Sequence, residues 1–297
     1  MENEMGTLQN KVDFAVILRV RNANPNGDPL NGNRPRTDYS NFGEISDVCI
    51  KRKVRDRLLE RWVASGKKDD GNMIFVQSDD RNEDGAKSLR ARAEASLGSK
   101  LGSDETVKLA CEKWVDVRTF GQLFALKGVK KSSKKSEDGE SEGDTGISIG
   151  IRGPVTIQSA FSIEPVDISS IQITKSVSGE GDGTKRGSDT MGMKHRIDKG
   201  VYVFYGSMNP QLAEKTGFSY KDAEIIKEIL PRLFENDESS ARPAGSMEVL
   251  KVIWWEHNCK SGQYSTAKVH RSLSVKPDGS FDLTDLEGLK PEPIDGF

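Results

Sequence analysis

The stretch "VDFAVILRV", residues 12–20, places Val12, Phe14, Val16, Leu18 and Val20 on one face of an extended strand and Ala15 and Ile17 on the other. A strand that is apolar on both sides belongs inside a sheet, so the fold has to be built around it. Directly after it comes "RNANPNGDPLNGNRPRTD", residues 21–38. Asn24, Asn26, Asn31 and Asn33 with Gly27 and Gly32 tolerate positive φ, and Pro25, Pro29 and Pro35 stiffen the path, which predicts a shaped loop. "SDVCIKRKVRDRLLERWVAS" follows, with Ser46 as N-cap and Asp47 in the first turn, predicting a helix from about 47 to 64.

Residues 65–115 read as an insertion with its own small packing: a loop, a short strand "MIFVQ", and helices around "GAKSLRARAEASL" and "DETVKLACEKWV". Residues 130–146 are low in complexity, lack large apolar side chains and predict a mobile loop. "GISIGIRGPVTIQSAFSIEPV" restores β-branched alternation, and "GVYVFYGSM" and "EVLKVIWWEH" read as two further strands. Between those two lies the helix "SYKDAEIIKEILPRLFEND", with Ala223, Ile226, Ile229, Leu230 and Leu233 facing a core and Pro231 kinking it. With the excursions set aside, the order is β-α-β-β-α-β. This predicts an α+β fold of the ferredoxin-like or RNA-recognition (RRM) type. Such folds often present a sheet face to single-stranded RNA, although fold alone does not establish function.

Composition narrows the function. Of 297 residues, 34% are hydrophobic and 30% charged, so much of the chain is expected to meet solvent or a polar partner. Net charge is only −2, so affinity for nucleic acid has to come from local clusters of Lys and Arg. Cys49, Cys111 and Cys259 are far apart and form no C-x-x-C spacing, which argues against a disulfide framework or zinc site and favours a reducing cytoplasm. The polar start "MENEMGTLQNKVD" and the lack of any run near the ~20 apolar residues of a membrane span predict a soluble protein without membrane partners.

Two clusters carry candidate binding chemistry. Arg34 and Arg36 flank Pro35 and offer guanidinium forks to phosphates or bases. In the helix, Lys51, Arg52, Lys53, Arg55, Arg57 and Arg61 stand against Asp47, Asp56 and Glu60. At about 100° per residue, Lys51 and Arg55 fall on the side of Val48, Leu58 and Trp62 near the helix N-terminus, where a bound phosphate would explain their direction. The alternative is that their stems cover a core edge and pair with Asp47 or Asp56. In the excursion 174–200, Met191 and Met193 suit wedges against unstacked bases, but packing at the base of a hairpin is the simpler reading.

Enzymatic signals are thin. No nucleophile elbow, P-loop, zincin or dinucleotide motif appears with strand-helix context, and His195, His257 and His270 are not spaced to share a metal with one another. Asp28, Asp38 and Asp47 could hold a metal for phosphodiester cleavage, yet Asp is common in turns. The expectation is a protein that is not an enzyme, with no metal and no cofactor.

The motifs "NANPNGDP…RPRTD…SDVCIKRKVRD", "DVRTFG", "RGPVTIQSAFSIEPV", "TMGMKHRIDKGVYVFYG" and "LAEKTGF", in that order, resemble the backbone subunit of type I-C CRISPR Cascade complexes, in the RAMP superfamily. The resemblance spans about residues 12–275. It implies an RRM-type palm (12–64, 147–173 and 201–275), a helical fingers insertion with the mobile loop (65–146), a β-hairpin thumb (174–200) and a C-terminal tail (276–297). It also implies that many copies coat one CRISPR RNA without catalysis and present it to a target DNA strand, with other Cascade subunits at the filament ends. Asn24, Asn26, Arg34 and Arg36 would lie beside the RNA, and Lys51, Arg52, Lys53, Arg55 and Arg118 would meet its backbone. Met191, Met193, Lys194, His195 and Arg196 would lie where the thumb folds over the guide. Met193 departs from the usual "TMGRKH" by replacing its Arg. Related type III subunits cut RNA with an Asp of the loop after the first strand, a role open here to Asp28 or Asp38. A generic RRM-like module that binds RNA as a monomer is a third reading.

Overall fold

The computed structural model describes residues 6–126, 147–174 and 191–297. The predicted mobile loop 130–146 lies outside the described residues. β1 (Val12–Ala23) leads into a two-rung ribbon of β2 (Gly27–Asp28) and β3 (Arg34–Pro35), then β4 (Phe42–Ile45) and α1 (Asp47–Ala64). An insertion follows with α2 (Leu89–Leu97), α3 (Thr106–Lys113), α4 (Val115–Phe120) and the hairpin β5 (Gly121–Leu126) and β6 (Ile147–Arg152). Next come β7 (Val155–Ile157), β8 (Ala160–Pro165), β9 (Ile168–Thr174), the long β10 (Met191–Met208), α5 (Pro210–Thr216) and α6 (Tyr220–Ile229). The chain closes with β11 (Met247–Glu256), α7 (Thr266–Arg271), β12 (Leu273–Val275), β13 (Phe281–Leu283) and β14 (Pro291–Asp295). No helix among the described residues is long and apolar enough to cross a membrane.

The main sheet is antiparallel and runs β14-β11-β1-β10-β8-β4, with β7 and β9 also paired to β10. β1 is its interior strand, bonded to β10 on one side and β11 on the other. Val12, Phe14, Val16, Leu18 and Val20 enter the larger core beneath α1 and α6, while Ala15 and Ile17 enter a second core with Val269, Leu273 and Leu289. The two-faced pattern in "VDFAVILRV" therefore has two covers. The side opposite the helices is roofed by α7 and the β12–β13 hairpin, so it is not the open RNA platform often seen in RRM-type folds.

α1 has the boundaries its sequence predicts, with Ser46 Oγ accepting from the Cys49 N–H. Val48 is exposed, however, so the apolar side of the helix begins with Ile50. "MIFVQ" forms no strand beyond a single parallel bridge from Met73 to Trp114. Its backbone is claimed instead by a buried carboxylate: Asp116 accepts from the N–H groups of Phe75 at 2.7 Å and Val76 at 3.0 Å. Phe75 then packs against Trp114 and Phe124 in a separate small core. Pro231 ends α6 rather than kinking it; the α-helix stops at Ile229 and a 3-10 turn carries Leu230–Arg232. Residues 276–297, expected as a tail, supply β13 and β14, and β14 extends the main sheet beside β11. Pro291 and Pro293 cannot donate to a ladder, which makes β14 a natural edge.

A charged cluster locks the start of β1 to the end of β11. Asp13 is fully buried, accepts from Lys11 Nζ at 2.8 Å and lies 2.9 Å from His257 Nε2. The Gln263 N–H donates to His257 Nδ1, which assigns the imidazole proton to Nε2, facing Asp13. Burial would raise the Asp13 carboxyl, but the hydrogen bonds from His257 and Lys11 outweigh it and hold the group below its ordinary value. His270, stacked on Tyr205, is held below the ordinary histidine value by burial, against the pull of Asp13.

Both shifts have one consequence for pH. The unfolded chain takes up protons first as pH falls, so stability should decline below the ordinary histidine value of 6.5 and again below the ordinary carboxyl value of 3.8. Asp13→Asn should cost about 3 kcal/mol near neutral pH, because it breaks a buried pair by removing one partner, and should remove the lower, carboxyl part of the acid decline. Urea unfolding across pH checks both, and an Asp13→Asn protein as stable as the parent would rule out the cluster as a lock.

Candidate nucleic-acid interface

The loop after β1 is built rather than loose. Asn22, next to last in β1, already bends the chain with φ 51°, and in the loop Gly32 and Asn33 follow at 58° and 59°. Gly27 packs closely against Asn33: a Cβ there would meet the Asn33 side-chain amide, which would have to swing away, and would lie 3.2 Å from its carbonyl oxygen. Asn24 is buried, donates from Nδ2 to the Asn33 carbonyl at 2.7 Å, and has an Oδ1 without a hydrogen-bond partner. Asn26 Oδ1 accepts from both the Ser46 N–H (2.9 Å) and the Ser46 hydroxyl (2.8 Å), tying the loop to the cap of α1. Arg34 is exposed, and Arg36 is half-buried 3.4 Å from Asp28, with its Nε unpaired.

The loop aspartates hold backbone. Asp28 Oδ1 accepts from the Leu30 N–H at 3.2 Å, and Asp38 Oδ1 accepts from Ser40 at 2.8 Å and Phe42 at 2.9 Å. Among the described residues no group of three or more His, Cys, Asp or Glu is placed to hold a metal ion.

The basic residues of α1 divide by depth. Lys51 pairs with Asp47 at 2.9 Å, one turn back, and Arg52 reaches Asp80 at 3.0 Å from an exposed position. Lys53 is only 5% exposed, bound to Asp237 and close to the Phe234 ring. Arg55 binds Asp116 at 3.0 Å and lies over Phe120. The structure thus brings Lys51 to the carboxylate that the sequence offered as its alternative partner, whereas the partner of Arg55 comes from the insertion.

Arg118, in "DVRTFG", sits on the short α4. Its guanidinium forks onto Asp222 at 3.0 and 2.7 Å and also donates to the Gly71 carbonyl. Asp222 in turn caps α6 by accepting from the Ser219 N–H. Asp116 and Arg118, two residues apart, therefore clamp the insertion to α1 on one side and α6 on the other. A phosphate contact by Lys53, Arg55 or Arg118 would require these pairs to open. Asp116 and Asp222 were missed as partners, although "SYKD" is a capping-box pattern that marks Asp222 as the start of a helix.

β9 and the first part of β10 form a two-stranded arm whose ladder starts at Ile168↔Ile197, earlier than the predicted 174. β10 continues without a break into the main sheet, so "TMGMKH" and "GVYVFYGSM" share one strand. The remainder of the excursion, 175–190, lies outside the described residues. Opposed residues in an antiparallel ladder point to the same side. One face carries Met191, Met193 and His195 with Thr174, Gln172 and Ser170; the other carries Gly192, Lys194 and Arg196 with Ile173, Ile171 and Ser169. His195 Nδ1 is 2.8 Å from Ser170 Oγ, and Arg196 Nε lies 3.8 Å from Asp198 Oδ1, an ion pair too long for a hydrogen bond. Met191 and Met193 are 64% and 55% exposed, so they do not pack the base of the hairpin; buried Ile197 does.

Arg118→Lys should destabilise the fold by about 3 kcal/mol, since an ammonium cannot reproduce the fork and leaves Asp222 underpaired. Thermal or urea unfolding measures this. A residue facing solvent to await a phosphate would leave stability unchanged.

A family model described as CRISPR-associated protein Cas7 matches residues 10–289. A curated CRISPR-associated protein Cas7 from Haloferax volcanii is 26% identical over 294 residues, covering 95% of this chain and 80% of the relative. A chain of the solved "CRISPR RNA-guided surveillance complex, pre-nicking" aligns at 15% identity and TM-score 0.46 over 82% of this chain and 78% of that one. A chain of a "CRISPR RNA-guided surveillance complex" aligns at 17% identity and TM-score 0.40 over 82% and 68% respectively. With its model matched from residue 10 to residue 289, this chain belongs to the CRISPR-associated Cas7 family.

Proposed function

We propose that the protein is the non-catalytic, guide-coating backbone subunit of a type I-C Cascade complex in the cytoplasm. The observation that carries this reading is the family match across nearly the whole chain. The palm is read as RRM-type: with β1, β8, β10 and β11 as first to fourth strands, the sheet runs fourth, first, third, second, with α1 after the first strand and α6 before the fourth. Residues 65–146 serve as fingers, and the arm from Ile168 serves as the thumb.

In this reading the CRISPR RNA backbone lies along the β1–α1 loop, with Arg34, Arg36, Lys51 and Arg52 as its cations and Asn24 and Asn26 shaping the path. Arg55 and Arg118 act behind them by holding the fingers in place, and Lys53 ties α1 to Asp237 beyond α6. Met191, Met193 and His195 meet the bases under the thumb, and Met193 supplies an apolar contact where the family motif has an Arg. Sequence is read by pairing with the target DNA strand, while protein contacts remain independent of spacer sequence. Copies of the chain line the guide, and other Cascade subunits cap the array. The duties of Asp28 and Asp38 towards backbone N–H groups support a shaping role over a catalytic one.

Protein purified from cells that express a CRISPR array should carry RNase-sensitive RNA. Arg34→Glu with Arg52→Glu should weaken guide binding by about tenfold or more, since each cation removed deletes one counterion-releasing contact. Affinity should also fall steeply with salt in filter binding and differ little between spacers. Incubation with complementary RNA and Mg²⁺ tests the catalytic alternative. Regular cuts lost in Asp28→Ala or Asp38→Ala would overturn the non-catalytic reading, and loss of salt dependence would overturn backbone recognition.

A further inference from the structure

The cations assigned to the guide differ in what holds them now. Arg34 faces solvent, Arg36 lies near Asp28 of its own loop, and Lys51 pairs with Asp47 of its own helix. Arg52 instead is held by an acid from the insertion. Its Nη2 lies 3.0 and 3.4 Å from the two carboxylate oxygens of Asp80, and its Nε is 3.8 Å from Asp56 on α1. Both Asp80 bonds fall on one nitrogen, so this is not the fork that Arg118 makes with Asp222. The Arg52 and Asp80 side chains are 54% and 68% exposed, and a pair so open to water is weak enough for a phosphate to displace.

Asp80 is not what seats its segment. It belongs to the 3-10 turn Asp79–Arg81, closed by the Arg81 N–H donating to the Ser78 carbonyl at 3.0 Å. The Arg81 side chain pairs with Glu60 of α1 at 2.7 Å and also donates to the Asn236 carbonyl. Insertion and helix thus exchange opposite charges at two points, Asp80 to Arg52 and Arg81 to Glu60, eight residues apart along α1. The second point holds without the first. Asp80 therefore sets a negative charge on a cation of the guide site without being needed to anchor the turn.

We propose that Asp80 is a displaceable counter-ligand of Arg52: it occupies the guanidinium while the site is empty and gives way to a phosphate of the RNA. The choice of ligand rests on the RNA-coating reading. Filling the site then frees the 79–81 turn from the first half of α1, with the Arg81–Glu60 pair as its remaining hold. The link is reciprocal, so whatever draws Asp80 off Arg52 strengthens RNA binding by the same factor. Lys51 has no such link, because its partner lies on the same helix.

Binding of a single-stranded RNA long enough for one copy, measured by filter binding at fixed salt, tests the exchange. Asp80→Asn should bind about two- to fivefold more tightly than the parent, the range that an exposed ion pair is worth. Asp80→Glu, which keeps the charge, should stay within about twofold of the parent. In an Arg52→Gln background, itself weaker than the parent, Asp80→Asn should bring no further gain. Asp79→Asn removes an equal charge from the exposed neighbour and should bring a smaller gain than Asp80→Asn. The exchange is overturned if Asp80→Asn binds no better than the parent, if its gain survives in the Arg52→Gln background, or if Asp79→Asn or Asp80→Glu matches it. A parent that binds no RNA overturns the RNA-coating reading and the exchange with it; a parent that binds, with Asp80→Asn its equal, overturns the exchange alone.

Discussion

The interior position of β1 is the constraint on which the remaining structure depends. Its backbone is hydrogen-bonded along both edges, to β10 and β11, and its side chains are buried on both faces. A strand held on four sides cannot shift register by one residue without moving Phe14 and Leu18 into the wrong core. Both its ends are therefore fixed points. At one end Asp13 closes the His257 lock; at the other, Asn22 turns the chain into a loop whose path is set before any ligand arrives. β10 inherits the same rigidity and carries it out of the sheet into the arm.

The basic residues of the chain do two kinds of work. Lys53, Arg55 and Arg118 are placed deep against Asp237, Asp116 and Asp222, where they join the insertion and the later part of the chain to α1 and α6. Arg34 and Arg52 remain at the surface. Each of these buried pairs is neutral, so the net charge of −2 is carried by the remaining groups and does not report how the exposed cations are distributed. Buried pairs of this sort confer geometry more than net stability, as desolvation offsets much of their attraction. Here the geometry that the Arg55 and Arg118 pairs confer is the seating of the insertion against α1 and α6.

Local signals were legible in the sequence wherever the cause of structure was itself local. The cap at Ser46, the span of α1, the two faces of β1 and the inward residues of α6 all follow from spacing and short-range chemistry. "MIFVQ" misled because its apolar content resembles a strand, while its N–H groups are taken by Asp116, far along the chain. The final segment, beyond the reach of the resemblance and expected as a tail, supplies an edge strand, a position that tolerates Pro291 and Pro293 on its outer side. Met191 and Met193 were assigned to a hairpin base because sequence shows that a methionine is apolar but not whether another layer covers it.

By itself the sequence determined that a doubly covered strand is followed by a shaped loop and a capped basic helix, and its ordered motifs pointed to the family. Only the tertiary structure decided which cations are free and which are consumed, and which side chains share a face of the arm. The physical reason is range. Capping, turn formation and strand alternation act within a few residues, but the partners of Arg55 and Arg118 are chosen by segments that the fold alone brings together.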